Sequence, residues 1–265
     1  MEVRVERMRI GPYRLARRLE AGPVGERWLA FNEREQTSHV AHRLKLAGGA
    51  GARRFASSLE AISSLCHPHL LPVEQYTLGS ANTGWIVTPF TGSHDGLVTL
   101  AGLLRDKGGR MQPLEVERAL TQLLEALEYA HGLGFFHDEI RADEVLVDRR
   151  GSLAIELYGL RRRLAGLGGR PATEVGRDEV RSLIGIGYEL LTGMPAEEPR
   201  IEASRLIPRL DHRWDEFFAE GLDPLAGYLN AGEALANLPS VKRELDGRRS
   251  PVQVVIRGFR RALKA

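Results

Sequence analysis

Over the first ninety or so residues the apolar positions fall in short runs broken by turn formers; beyond residue 92 they recur every three or four residues. Residues 13–16 and 26–31 read as strands flanking a Gly22-Pro23-Val24-Gly25 turn, and residues 38–46 as a third strand. The Gly48-Gly49-Ala50-Gly51 run after it reads as a flexible connector. Residues 54–66 have helical period, with Phe55, Leu59, Ile62 and Leu65 on one face, and Pro68 stops them. Further strands end at Trp85-Ile86-Val87. Residues 114–131 form the strongest helical pattern, placing Val116, Leu120, Leu123, Leu127 and Ala130 together behind Pro113. Residues 180–191 are more apolar and close on Thr192-Gly193, which predicts a buried helix with a glycine stop. Shorter amphipathic helices are expected over 214–222 and 231–238. A small strand-rich part with one main helix, then a larger and mainly helical part, predicts an α+β fold in two lobes. The boundaries are an N-terminal extension at 1–11, a small lobe at 12–91, a large lobe at 92–239 and a tail at 240–265.

At 265 residues, 43% hydrophobic and 27% charged, the chain has ordinary globular composition and can bury a substantial core. The net charge of +2 gives no field that argues for nucleic acid. The basic excess is local: residues 240–265 carry eight Lys/Arg against Glu244 and Asp246. In that tail Val254, Val255, Phe259 and Leu263 alternate with Arg257, Arg260, Arg261 and Lys264, close to an amphipathic basic helix. Docking to a membrane surface or a partner, packing back on the large lobe, and the start of a linker are the open readings. Cys66 is the only cysteine, which excludes an internal disulfide and fits a reducing compartment. With no signal-peptide core and no apolar run near the roughly twenty residues of a membrane span, a soluble cytoplasmic chain is expected.

The stretch His137-Asp138-Glu139-Ile140-Arg141-Ala142-Asp143-Glu144-Val145-Leu146-Val147 keeps the frame of an H-R-D-L-x-x-x-N loop followed by an apolar strand, and Leu157-Tyr158-Gly159 stands in the D-F-G place. Leu19 to Arg27 lines up with a glycine-rich phosphate loop, Val40-Ala41-His42-Arg43 with V-A-I-K, and residues 180–193 with a central helix. With four segments in order, the chain resembles the eukaryotic-like Ser/Thr protein kinase superfamily, as found in bacteria, over residues 12–239. The resemblance implies a bilobal protein kinase-like fold. It also implies which positions would do chemistry, and several hold other residues. Glu20 takes the first glycine slot of the loop, with Gly22 and Gly25 kept, and Arg27 replaces its terminal valine. Arg43 stands for the phosphate-binding lysine, Ser58 for the glutamate that fixes it, Glu139 for the catalytic Asp, Glu144 for the metal-binding Asn and Leu157 for the metal-binding Asp. Leucine cannot ligate a hard cation, and a guanidinium is no conservative replacement for an amine. In the same frame Ile62, His137 and Tyr158 belong to an internal hydrophobic spine, and Glu179 or Asp178 anchors the catalytic loop.

The expectation is a catalytically inactive kinase-like domain, not an enzyme, with no catalytic residue, no metal and no cofactor, acting as a scaffold for an unidentified protein partner. A nucleotide-dependent transferase of low or unusual activity, using Glu139 or Glu144, is the alternative; the cytosolic domain of a larger signalling receptor is another. Basic replacements on the small lobe face acidic ones on the large lobe, so Arg27 and Arg43 are expected to pair across the cleft with Glu20, Glu139 or Glu144. Arg161, Arg162, Arg163 and Arg170 read either as a patch for an acidic partner or as a mobile loop with solvated charge.

Overall fold

The computed structural model describes residues 8–92 and 96–244. Residues 1–7 of the expected N-terminal extension and 245–265 of the basic tail lie outside the described residues, so the readings of that tail do too. The order is β1 (Arg9–Ile10), β2 (Tyr13–Arg18), β3 (Glu26–Asn32), β4 (Thr37–Lys45), α1 (Gly48–Ile62), β5 (Gln75–Gly79) and β6 (Thr83–Pro89). Then come α2 (Leu100–Asp106), α3 (Pro113–Gly132), β7 (Val145–Val147), β8 (Leu153–Ile155), α4 (Leu160–Ala165) and α5 (Ala172–Thr192). α6 (Ala203–Leu206), α7 (Arg213–Gly221) and α8 (Ala231–Ala236) complete the described elements.

The small lobe is one antiparallel sheet in the order β1-β2-β3-β4-β6-β5. Both of its faces are covered. On one, Leu44 and Ile86 join Phe55, Leu59 and Ile62 of α1 in the main core. On the other, Ile10, Tyr13, Leu15, Trp28, Ala41, Trp85 and Val87 make a second cluster. α1 seats closely because β6 offers no side chain at Gly84, where a Cβ would stand 2.6 Å from the Phe55 ring. Burying a side chain such as Phe55 or Leu59 contributes about 1.5–3 kcal/mol, enough to outweigh the cost of glycine in a helix. That offset explains one departure from expectation: Gly48–Gly51 is the first turn of α1, not a connector. The helix also ends earlier, at Ile62, where the Ser63 and Ser64 hydroxyls donate back to the Leu59 and Ala61 carbonyls.

In the large lobe α3 and α5 pack along each other and carry the core. α3 begins with Pro113 and a reciprocal cap in which Gln112 N donates to the Glu115 carboxylate. α5 starts eight residues before the expected position and ends on Gly193 at φ 74°. The short β7–β8 hairpin sits beneath the small lobe, and Leu71 N donates to Ile155 O. Residues 160–165, expected as part of a loop, form a short helix that carries Arg161, Arg162 and Arg163, whereas Arg170 lies beyond it. Among the described residues no helix is long and apolar enough to cross a membrane.

Candidate functional site

The loop from His137 to Glu144 is held by one carboxylate on α5. Glu179, fully buried, accepts from the backbone N of His137 (2.6 Å) and Asp138 (2.9 Å) through Oε1. Its Oε2 accepts from the Tyr158 hydroxyl at 2.7 Å and meets His131 Nε2 at 2.9 Å. Burial and the Glu179 charge hold the Tyr158 phenol well above its ordinary range. His137 is equally enclosed. Gly159 N donates to its Nδ1 at 3.0 Å, so the ring proton sits on Nε2 and is donated to Glu144, also at 3.0 Å. The His137 and Tyr158 rings lie 5.2 Å apart, and both residues are buried, as is Ile62.

Above this loop, the register of β3 on β4 pairs Arg27 with His42 and Glu26 with Arg43. Cross-strand partners share a face. Arg27 and His42 therefore look into the cleft, while Arg43 looks out, 3.5 Å from Glu26 and over the Trp85 ring at 5.7 Å. This corrects the placement of Arg43 at the phosphate-binding position: the cleft residue at that point of the strand is His42, one residue earlier. His42 is 1% exposed, meets Thr88 Oγ1 at 3.1 Å, and has its pKa lowered to about 3 by burial and then by the neighbouring Arg27 charge.

Arg27 crosses the cleft, but to a residue outside the expected set. Its guanidinium donates through Nε (3.1 Å) and Nη2 to Glu156 Oε2, and both residues are buried. Burial pushes the Glu156 carboxyl up; Arg27 pulls it down and Glu144 raises it again. Its other oxygen has no hydrogen-bond partner and lies 3.7 Å from His42 Nε2. Gly22 lies directly on the guanidinium, for a Cβ there would stand 2.7 Å from Arg27 Cζ. The side chain thus fills the space beneath the glycine loop. Leu157, by contrast, turns into the core with φ 47°, a left-handed conformation that a branched side chain adopts only when its surroundings impose it. The carboxylate next to it in the chain is Glu156, one residue upstream.

The remaining positions separate. Glu20 is exposed, and Ser58 is buried on α1. Glu144 is buried, with Arg161 Nη1 3.3 Å from Oε1 and His137 on Oε2. Glu139 is exposed, and it lines an open groove of about 830 Å³ together with Ile140, Arg141, Arg181 and Glu189. The expected pairing of Arg27 and Arg43 with Glu20, Glu139 or Glu144 is therefore replaced by Arg27–Glu156 and Arg43–Glu26. Arg162 pairs with Asp138 at 3.2 Å, Arg170 with Asp178 at 2.5 Å, and Arg163 stacks on Phe135.

A family model described as protein tyrosine and serine/threonine kinase matches residues 14–172, and the chain belongs to that family. It is 30% identical over 155 residues to CBL-interacting protein kinase 4 of Oryza sativa subsp. japonica, covering 57% of this chain and 33% of that one. It is 31% identical over 152 residues to serine/threonine-protein kinase PknF of Mycobacterium tuberculosis, covering 54% and 31%. The chain thus spans about a third of the length of these relatives. In architecture it is similar to the crystal structure of the Mycobacterium tuberculosis PknI kinase domain, with TM-score 0.70, 18% identity, 89% of this chain and 98% of that one. The fold is the bilobal kinase-like α+β fold. These matches correct the expectation that the chain is not an enzyme: the family is one of kinases and the relatives are named as kinases. Glu144 and Glu156 are buried at the cleft, and Glu139 stands exposed on the groove beside α5.

Proposed function

We propose that the domain is a cytoplasmic nucleotide-dependent transferase of low or unusual activity that acts on a protein partner. The observation that carries this reading is the placement of Glu139. Of the two carboxylates that replace the polar residues of the loop, Glu144 is sequestered by His137, whereas Glu139 is exposed in a groove large enough for a peptide segment. An exposed carboxylate there can accept the proton of an acceptor hydroxyl. Beside residues 90–92, where the two lobes join, a second groove of about 700 Å³ lined by Leu29, Ser38, Phe90 and Thr91, with Asp148 and Arg149 also on it, gives room for a planar base. The divalent metal that the family implies does not fit the described conformation. Leu157 offers no oxygen, Glu144 is held by His137 and Arg161, and Arg27 fills the space under Gly22.

The test is transfer of label from γ-labelled nucleotide to purified domain or added protein, in Mg²⁺ and in Mn²⁺, for wild type and Glu139→Gln. Incorporation that Glu139→Gln reduces at least tenfold supports the reading; equal incorporation, or none in either, overturns it. A second reading is a regulatory protein-interaction role, favoured by the buried Arg27–Glu156 pair, which ties the small lobe to the β8 end of the large one. Partner capture that requires Arg27 and is indifferent to Glu139 would select it.

A further inference from the structure

The guanidinium of Arg27 occupies a place that a ligand would need. It comes from β3, passes under Gly22 and ends on Glu156, 129 residues away in the chain. No water-exposed route supports it: Arg27 is 3% exposed and Glu156 is 0% exposed. His42 closes the third side, within 3.7 Å of the free Glu156 oxygen and bonded to Thr88 on β6. At this point the two walls of the cleft meet through an ion pair, and Gly22 of the glycine loop lies on it. An anion entering under the loop meets Glu156 as a like charge, and Arg27 is available to it only after leaving that carboxylate.

We propose that Arg27 and Glu156 form an autoinhibitory latch: closed, it excludes the phosphate chain of a nucleotide, and opened, it frees the space under Gly22. The latch rests on the reading of the cleft as a nucleotide site and adds its regulation. A signal that separates the two lobes, such as a partner seated on the small lobe, would act by breaking this pair. Unlike exposed pairs such as Arg9–Glu33, whose loss water makes good, this pair is dry, so it holds one arrangement until it is broken as a unit.

The test is calorimetric titration of ATP with Mg²⁺, and with Mn²⁺, into wild type and Arg27→Val/Glu156→Ala. The double variant removes both ions and leaves no buried charge alone. Arg27→Met/Glu156→Gln, which also leaves no buried charge alone and stays closer in size, is measured in parallel and decides the matter if the first double variant does not fold. An affinity at least tenfold tighter than wild type in either folded variant is the expected result. Equal affinity, or no binding in wild type and variants alike, overturns the latch. The outcomes separate from those of the transfer reading. Tighter nucleotide binding by a variant, with no transfer of label by wild type, sinks the transferase and keeps the latch; transfer by a wild type that already binds as tightly as its variants does the reverse.

Discussion

Replacing Arg27 with Met should destabilise the domain out of proportion to any hydrogen bond it loses. The substitution leaves Glu156, which is 0% exposed, with an uncompensated charge facing His42 and the Glu144 side. Breaking a buried pair by removing one member costs about 3–5 kcal/mol, against about 1 kcal/mol for an ordinary hydrogen bond. For a chain of this size about 1 kcal/mol moves Tm by about 2–4 °C, so the expected loss is about 6–20 °C. The pH dependence has a definite sign. Burial already raises the Glu156 pKa, and without the opposing pull of Arg27 it rises further, so the folded variant takes up a proton that the unfolded chain releases above its ordinary value of 4.5. The variant's deficit should therefore be largest at pH 8 and shrink toward pH 5. Urea unfolding of wild type, Arg27→Met, Glu156→Leu and the double variant closes the cycle. The double variant should lie within about 2 kcal/mol of wild type, because two apolar side chains can replace a dry pair. A single variant that loses less than about 1 kcal/mol, or a cycle with no coupling, would refute the pair as a stabilising tie between the lobes.

His42 predicts a second pH effect. Its pKa falls from 6.5 to about 3, so between those values the unfolded chain binds a proton that the folded one, with Arg27 facing the ring and Glu156 and Thr88 around it, does not. Stability should fall by about 2 kcal/mol from pH 7 to pH 5 through this group alone, and His42→Leu should remove that part of the slope. Urea curves of the two proteins at both pH values check it, since Glu156 is common to them; parallel slopes would refute it. Glu179→Ala should cost at least about 3 kcal/mol, because the His137 and Asp138 amides and the Tyr158 hydroxyl lose their acceptor in the interior, as equilibrium unfolding would show.

The helices were legible because α3 presents an apolar stripe and α5 a broader apolar surface, and Gly193 and Pro113 mark ends that backbone geometry then uses. The motif frame was legible for the same reason that it constrains the chain: His137, Tyr158 and Gly159 have fixed partners. What failed was the face of β4. A half-buried strand reveals its inward side by alternation, but Val40, Ala41 and His42 are all buried, with a core on each face of the sheet. Periodicity therefore could not separate His42 from Arg43, and matching letters to V-A-I-K chose the wrong one. The short helix α4 was missed because six residues carry too little period to show against the glycines around them.

Glu156 escaped notice because the D-F-G comparison directs attention to its neighbour, yet the chain does carry a signal for it. Between Leu153 and Leu160 it is the only charged residue in an otherwise apolar run, and Arg27, after Glu26, opens the apolar run Trp28-Leu29-Ala30-Phe31. A carboxylate in a buried strand end costs several kcal/mol unless a cation reaches it, and a guanidinium in a covered sheet has the same need. Each is too expensive alone, so each implies the other. The reciprocity of basic and acidic replacements across the cleft was sound in kind and wrong in its partners, because residues were weighed only at motif positions. Applied to charged residues within or at the edge of apolar runs, the same rule includes Glu156 and Arg27, the pair that the structure brings together across the cleft.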